Sequence, residues 1–469
     1  MKRTKIIATL GPASNNPEVI KELIKAGIDV ARINMSHSQD ENAVKLLVDI
    51  IRHEAKQLDR SVSIIFDLSG PKLRVKRFSE NKSISIEKDK FYTIGYTNSD
   101  IPIDVNLIFK HVEEGALVKI NDGNLSFKVI NHKNSQLEIC AENSGEITSG
   151  KGVNFPGITL NIPAVTEKDI NDLKLAISLD IDWVAISFIR NVEDCKPIQK
   201  VFDEYSKSIP MIAKIEKPEA LENLSELINL FDGILVARGD LGVEMPLNEL
   251  PILQKKIVNE CLKKHKPVII ATQMLETMIE NPSPTRAEVN DVANAIYDGA
   301  DAVMLSGETA MGNYPVETVK MMSSITKSVE KDYDQSNFNR NIQFKNDVNI
   351  DNRLPIAHAV FTLVKDMKVK HIVIMTESGK TAKQMAVFRP DATIYALCPH
   401  WDICRELNLI WGIIPVHVNE FNSTDDMLVQ SSAILKQQGF IKEGETFILT
   451  AGVPVGISGS TNMLKIHTA

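Results

Sequence analysis

The sequence predicts an α/β fold: a closed (β/α)8 barrel of the TIM type, interrupted after its third strand by a small β domain and followed by a smaller α/β domain. Three observations carry this. Short apolar runs alternate with amphipathic helical stretches, eight such runs in all, the pattern of parallel strands joined by helical crossovers. Between Pro71 and Val153 the alternation gives way to short period-2 runs separated by Asn, Asp and Gly. Polar and charged residues collect just beyond the strand-like runs, on the face where such a barrel carries its active site.

In order, Lys5 to Leu10 reads as a buried strand closed by Gly11-Pro12, and Asn16-Pro17 opens an amphipathic helix to about Ala26. Asp29 to Asn34 is the second strand, a helix follows from about Asp40 to Leu58, and Ser61 to Phe66 is the third strand. The insert shows runs such as Ser83 to Glu87, Leu125 to Val129 and Gln136 to Ile139. Thr166 then caps a helix to about Ser178 with Asp169 in its first turn. Strands four to eight fall at Asp182 to Phe188, Met211 to Ile215, Gly233 to Ala237, Pro267 to Ala271 and Ala302 to Leu305, with a last helix near Pro315 to Glu330. The polar stretch Lys331 to Arg353 reads as a linker. Beyond it lie a helix (Ile356 to Met367), a strand (His371 to Met375), a further helix, and strands at Thr393 to Cys398, Ile413 to Val418 and Thr446 to Thr450. The expected division is therefore 1–69 with 154–335 for the barrel, 70–153 for the insert and 345–469 for the last domain.

A chain of 469 residues exceeds one ordinary core, and 43% apolar with 24% charged residues describes a soluble globular protein. No apolar run is long enough for a membrane span or a signal-peptide core. The five scattered cysteines have no C-x-x-C spacing and argue against disulfides or zinc, so a cytoplasmic location is expected. A net charge of -8 without a basic tract speaks against nucleic-acid partners.

The chemistry lies at the strand ends. Strand two ends in Arg32, Asn34 and Ser36, strand three in Asp67, strand five in Lys214 and Glu216, strand six in Arg238-Gly239-Asp240, strand seven in Thr272, and strand eight in Ser306 and Glu308. Any one polar residue past a strand is ordinarily a cap or turn former, and Lys214 with Glu216 alone would read as an ion pair. Six ends together argue for a site: Glu216 and Asp240 offer hard oxygens for a magnesium-type ion, while Arg32 and Lys214 offer charge for phosphate or carboxylate.

The motifs Thr9-Leu10-Gly11-Pro12-Ala13-Ser14, Ala31-Arg32-Ile33-Asn34-Met35-Ser36-His37, Lys214-Ile215-Glu216, Ala237-Arg238-Gly239-Asp240-Leu241-Gly242, Ala271-Thr272-Gln273-Met274 and Leu305-Ser306-Gly307-Glu308-Thr309-Ala310 resemble, in order and along the whole chain, those of the pyruvate kinase family. That resemblance implies phosphoryl transfer from phosphoenolpyruvate to ADP, giving pyruvate and ATP in glycolysis, with a small β-barrel lid as the insert. It implies Mg²⁺ or Mn²⁺ on Glu216 and Asp240, phosphoryl charge stabilised by Lys214, phosphate clamped by Arg32, and substrate carboxylate received by the Gly239 and Asp240 backbone. Thr272 would assist the proton relay to the methylene carbon, and Asn34, Arg74 and Lys151 would approach the nucleotide. A homotetramer is implied too.

One motif departs from the family's commoner pattern. Where many members carry a glutamate that accompanies a required K⁺, this chain reads Asp67-Leu68-Ser69-Gly70-Pro71-Lys72. The family's K⁺ ligands would correspond to Asn34, Ser36, Asp67 and the Leu68 carbonyl. A lysine at the glutamate's position supplies positive charge itself, so activity without K⁺ is expected; the plainer alternative leaves Lys72 in solvent at the lid hinge. Thr376-Glu377-Ser378-Gly379-Lys380-Thr381 lacks the first glycine of a P-loop, Ile374 standing in its place. In the family, this loop and a second near Gly452 to Thr461 take sugar-phosphate or nucleotide effectors, so Thr376, Ser378, Lys380 and Thr381 are the expected allosteric site, with an ordinary helix cap as the alternative. Two other functions stay in view: a metal-dependent lyase or aldolase of pyruvate-like substrates, which would need no nucleotide lid, and a catalytically silent effector-binding relative.

Overall fold

The structure is a computed structural model, and it describes residues 2–36, 40–77, 83–105, 109, 112–133, 136–158, 160, 162–332, 353–421, 423–453 and 461–469. Eight parallel strands close a barrel. They are β1 (Lys5–Leu10), β2 (Val30–Asn34) and β3 (Ser63–Asp67) before the insert, then β12 (Trp183–Ile186), β13 (Met211–Ile215), β14 (Gly233–Ala237), β15 (Val268–Ala271) and β16 (Ala302–Leu305) after it. Strand β3 pairs directly with β12, so the insert interrupts the sequence without opening the barrel. All eight strands are mostly apolar and almost wholly buried, as expected where helices cover the outside and side chains fill the inside, with charge confined to Lys5, Arg32, Asp67 and Lys214.

Local signals fix the helices that precede the strands. Asn16 caps helix Pro17–Ala26, with proline in its first turn and Gly27 closing it in the left-handed conformation. The expected Thr166 cap is a full capping box, in which Thr166 and Asp169 satisfy one another's backbone N–H groups, an arrangement contributing about 1 kcal/mol.

The insert holds β4 (Ile84–Ile86), β5 (Phe91–Gly95), β6 (Ile101–Pro102), β7 (Leu117–Ile120), β8 (Leu125–Lys133), β9 (Gln136–Ala141), β10 (Gly145–Ile147) and β11 (Val153–Asn154). They form a six-stranded sheet and a β4–β10 ribbon that share one apolar core, including Ile86, Phe127, Ile139 and Ile147. The ladders are antiparallel, as the sequence predicts, except that β5 and β6 pair in parallel. A five-residue loop, Tyr96 to Asp100, crosses back between them to allow that parallel pairing.

The last domain carries β17 (His371–Met375), β18 (Thr393–Cys398), β19 (Ile413–His417), β20 (Thr446–Gly452) and β21 (Thr461–Thr468) in the order β19-β18-β17-β20-β21. Two helices absent from the sequence reading, Trp401–Leu407 and Thr424–Gln437, link its strands; the first is two turns long and the second mixes Ser431 and Ser432 into its buried face. Strand β21 was likewise not expected: as an edge strand it buries few residues and shows no clean alternation. Of the linker, residues 333–352 lie outside the described set.

The barrel interior (Ile7, Val30, Trp183, Ile212, Ile269, Met304) belongs to the same apolar cluster as the last domain's core (Val360, Ile374, Leu407, Ile413). That domain therefore seals the barrel floor, opposite the strand ends. Polar contacts fix the seam: Trp183 Nε1 donates to the Glu406 carbonyl at 3.2 Å, Arg405 Nε to Asp182 at 2.7 Å, and buried Lys5 Nζ to the Ile413 carbonyl at 2.5 Å. Burial pulls the Lys5 pKa down to about 8, against the opposing pull of Asp29. Arg389, 2% exposed, donates to the Gly299 carbonyl at 2.6 Å and lies 3.4 Å from Asp301. Among the described residues no helix is long and apolar enough to cross a membrane.

Removing Arg389 would strand buried carbonyls and leave Asp301 without its cation. Arg389→Met is expected to lower stability by about 3 kcal/mol, read as a drop in the urea midpoint; a midpoint equal to wild type would contradict this account of the seam.

Candidate active site

At the carboxyl mouth of the barrel, oppositely charged side chains from different strands interlock. Lys214, near the end of β13, lies 2.8 Å from Glu216 Oε1 and 3.2 Å from Asp67 Oδ1, and it donates to Ser187 Oγ at 2.8 Å. Burial works against the lysine's charge, but Asp67 and Glu216 outweigh it and raise its pKa above the ordinary value. The lysine stays a cation through the physiological range.

Arg32, on β2, lies against the same Asp67: Nε donates to Oδ2 at 2.8 Å, and a terminal nitrogen donates to Thr9 Oγ1 at 2.9 Å. For Asp67, too, burial opposes charge, and the two cations Lys214 and Arg32 prevail, holding its carboxyl below the usual range. One carboxylate thus orients two cations.

Glu216 is 1% exposed, and its Oε2 accepts the Phe188 N–H at 2.7 Å. Its Oε1 is paired with the Lys214 ammonium. Burial raises its pKa, Lys214 opposes that, and the Asp240 charge adds to it. Two buried carboxylates held within electrostatic reach of each other suit a hard divalent cation.

Asp240 stands in the first turn of helix Arg238–Glu244, directly after β14 (Gly233–Ala237). Lys72 reaches it across the barrel mouth, Nζ to Oδ1 at 3.0 Å, and helps hold its carboxyl below the usual range against the effect of burial. So Lys72 neither points to solvent nor contacts Asp67: its short hinge segment carries it to the opposite carboxylate. The backbone N–H of Gly239 donates to Thr272 Oγ1 at 3.0 Å, and a Cβ on Gly239 would come within 3.1 Å of Thr272 Cγ2. Only glycine fits that approach without displacing the threonine.

Thr272 has a φ of +69°, a costly conformation for a β-branched residue. Arg238 buttresses it, donating to the Thr272 carbonyl at 2.7 Å and the Ala271 carbonyl at 3.1 Å, with Asp291 as its counterion at 2.7 Å. Arg238 therefore supports the site's backbone, although its position at a strand end read as chemistry. Glu308 does likewise, accepting N–H groups from Leu275 at 3.2 Å and Ser306 at 2.7 Å.

The remaining expected residues are less tightly gathered. Asn34 Oδ1 accepts the Ser36 N–H at 3.1 Å, within its own loop. Arg74 pairs with Gly152 and donates to the Gly150 carbonyl at 3.1 Å, while the Lys151 carbonyl accepts the Val75 N–H at 2.8 Å. These contacts bring Arg74 and Lys151 together where the insert joins the barrel. The Leu68 carbonyl accepts Ser187 Oγ at 2.7 Å.

Ser187 itself was missed. It follows β12 (Trp183–Ile186), one of the strand ends left out of the sequence tally, and it bridges Lys214 to the end of β3. Thr9, which anchors Arg32, sits inside an apolar strand with no local mark of function.

In the last domain, Gly379 (φ +72°) opens helix Lys380–Val387 without a side-chain cap. The Thr376 N–H donates to the Leu397 carbonyl at 3.1 Å, and Thr381 Oγ1 lies 2.7 Å from Thr461 Oγ1. Of the second loop, residues 454–460 lie outside the described set.

The family model described as "Pyruvate kinase, barrel domain" matches residues 1–319, and that described as "Pyruvate kinase, alpha/beta domain" matches 355–467. Pyruvate kinase of Staphylococcus saprophyticus is 40% identical over 477 residues, covering 100% of this chain and 80% of that protein. Pyruvate kinase of Staphylococcus aureus strain USA300 is 39% identical over 476 residues, with the same coverage. A crystal structure of a pyruvate kinase from Cryptosporidium parvum superposes with a TM-score of 0.91 at 33% identity, covering 100% of this chain and 96% of that one.

Proposed function

We infer the mechanism from one premise: this chain belongs to the pyruvate kinase family. It is a phosphotransferase that moves the phosphoryl group of phosphoenolpyruvate to ADP. The observation that carries the assignment of roles is Lys214, fixed as a cation between Asp67 and Glu216 at the barrel mouth. Phosphoryl transfer proceeds chiefly through positioning and charge, and a preorganised ammonium supplies both. Arg32, held by Asp67 through Nε and one terminal nitrogen and by Thr9 through the other, offers the second N–H of each terminal nitrogen to the phosphate.

Glu216 and Asp240 would hold Mg²⁺ or Mn²⁺, which when bound supplies positive charge to the oxygens of the phosphoryl group in flight. The mutual electrostatic influence of these two buried carboxylates supports that assignment. The substrate carboxylate meets the N–H groups of Gly239 and Asp240 and competes with Thr272 Oγ1 for the first of them. Its arrival frees the Thr272 hydroxyl to order the water that protonates the enolate carbon. Arg74 and Lys151, at the root of the insert, contact the nucleotide with Asn34, and closure of the insert excludes water as a competing acceptor.

Independence from K⁺ is supported by the state of its would-be ligands. Asp67 already balances Arg32 and Lys214, the Leu68 carbonyl is bonded to Ser187, and Asn34 Oδ1 to Ser36. Lys72 adds its charge from the Asp240 side. Allosteric control through Thr376, Ser378, Lys380 and Thr381 is supported by the uncapped helix start at Gly379, whose N–H groups suit a phosphate.

Three outcomes test these roles. Lys214→Met should lower ATP formation by at least about a thousandfold while Mn²⁺ binding, followed by electron paramagnetic resonance, survives; loss of both would make the lysine structural. In Tris buffer, wild type should show less than about twofold stimulation by K⁺, whereas Lys72→Glu should become K⁺-dependent. Sugar phosphates or AMP should shift the phosphoenolpyruvate saturation curve of wild type but not of Lys380→Ala, and an unmoved wild-type curve would leave the loop an ordinary helix cap.

A further inference from the structure

Helix Arg238–Glu244 carries Gly239 and Asp240 in its first turn, and the insert grips it at both ends. At the amino end, Lys72 holds Asp240. At the carboxyl end, Lys119 Nζ donates to the Val243 carbonyl at 2.8 Å, and Asn154 Nδ2 donates to Glu244 Oε1 at 2.9 Å. Lys119 and Asn154 face each other as partners in the β7–β11 ladder, so a single rung of the insert makes both contacts. Gly123, in the turn after β7, lies beside Val243, where a Cβ would sit 3.8 Å from one of its methyl groups.

Glu244 is the centre of this arrangement. Its side chain is 2% exposed, and the oxygen that receives Asn154 also receives Lys217 Nζ at 2.6 Å. Lys217 follows β13 directly, two residues beyond its last strand position and three beyond Lys214. One buried carboxylate therefore ties together the return strand of the insert, the helix that bears Asp240, and the segment that bears Lys214 and Glu216. A buried carboxylate needs its partners, so the three segments share one stable arrangement. The first turn and Glu244 are joined by less than two turns of helix, too short to bend independently.

We propose that Glu244 is a positioning residue for phosphoryl transfer, coupling seating of the insert over the nucleotide to placement of residues 239–240 against the substrate carboxylate. The inference rests on the reading that places nucleotide at the insert's root and carboxylate on 239–240. Its consequence is energetic: each substrate binds more tightly when the other is present, through Asn154, Lys119 and Glu244. A purely structural Glu244 would lower stability or turnover without changing that mutual dependence.

The test is isothermal titration calorimetry in Mg²⁺ buffer with ADP and oxalate, a planar dianion that stands for the enolate and cannot donate phosphoryl. Wild type should bind oxalate about fivefold or more tighter at saturating ADP, within the usual range of coupling between sites. In Asn154→Ala and Glu244→Gln that ratio should fall close to one, with each affinity measured alone within about twofold of wild type, and Lys119→Met should fall between. A wild-type ratio of one, or a ratio in Asn154→Ala equal to wild type, overturns the inference. Asn154→Ala keeps the test open if Glu244→Gln fails to fold. Arg74→Ala is the separate arm: unchanged ADP affinity there removes the nucleotide reading, whereas the ratio alone decides the coupling.

Discussion

The buried ammonium of Lys214 is the constraint on which the site depends. A cation that burial disfavours stays charged only because Asp67 and Glu216 arrive from β3 and from the end of β13 with ångström accuracy. Loose strands would lose that accuracy and leave three ions desolvated without partners, at a cost of several kcal/mol for each. The barrel must therefore be rigid at its mouth. Rigidity comes from its floor, where the interior core runs without a break into the last domain and Arg389, Arg405 and Lys5 close the seam with hydrogen bonds. The domain farthest from the chemistry thus stiffens the frame that makes the chemistry affordable in charge.

A second consequence is the strain at Thr272. Its left-handed backbone survives because Arg238 holds the carbonyls on both sides and Gly239 leaves room for its methyl group. The conformation points the hydroxyl at the first turn of the Asp240 helix, where a substrate carboxylate would compete for the same N–H. Strain here serves placement, since a relaxed residue would direct the hydroxyl elsewhere.

Much of this was legible in the sequence, and the unread parts share a cause. Barrel strands were readable because a strand buried on both faces is apolar along most of its length, and the reading reached all eight to within a few residues. Lys214, Glu216, Asp240 and Thr272 were readable because charge or hydroxyl at the end of such a strand has few other uses. Ser187 and Thr9 were not, since a small hydroxyl residue in or after an apolar strand looks like any turn or core residue until its partner from another strand is known. Arg238 and Glu308 show the converse: their positions suggested chemistry, and only their partners identify them as supports. The short edge pieces β6 and β21 bury too little to impress a period on the sequence.

Lys72 shows why local substitution and remote charge must be considered together. The sequence reading put its charge where the family's glutamate accompanies K⁺, and the structure pairs it with Asp240. Three cations, Arg32, Lys72 and Lys214, face three carboxylates, Asp67, Glu216 and Asp240, so the formal charges of these six groups cancel. A glutamate at position 72 would remove one positive charge and add one negative, leaving an excess of two negative charges in a low-dielectric mouth that must still admit a phosphate. At separations of 4 Å and an effective dielectric of 20, each unbalanced contact costs about 4 kcal/mol. On the proposed reading, a site with glutamate there calls for an added cation to receive its anionic substrate, whereas lysine carries that charge in its own chain.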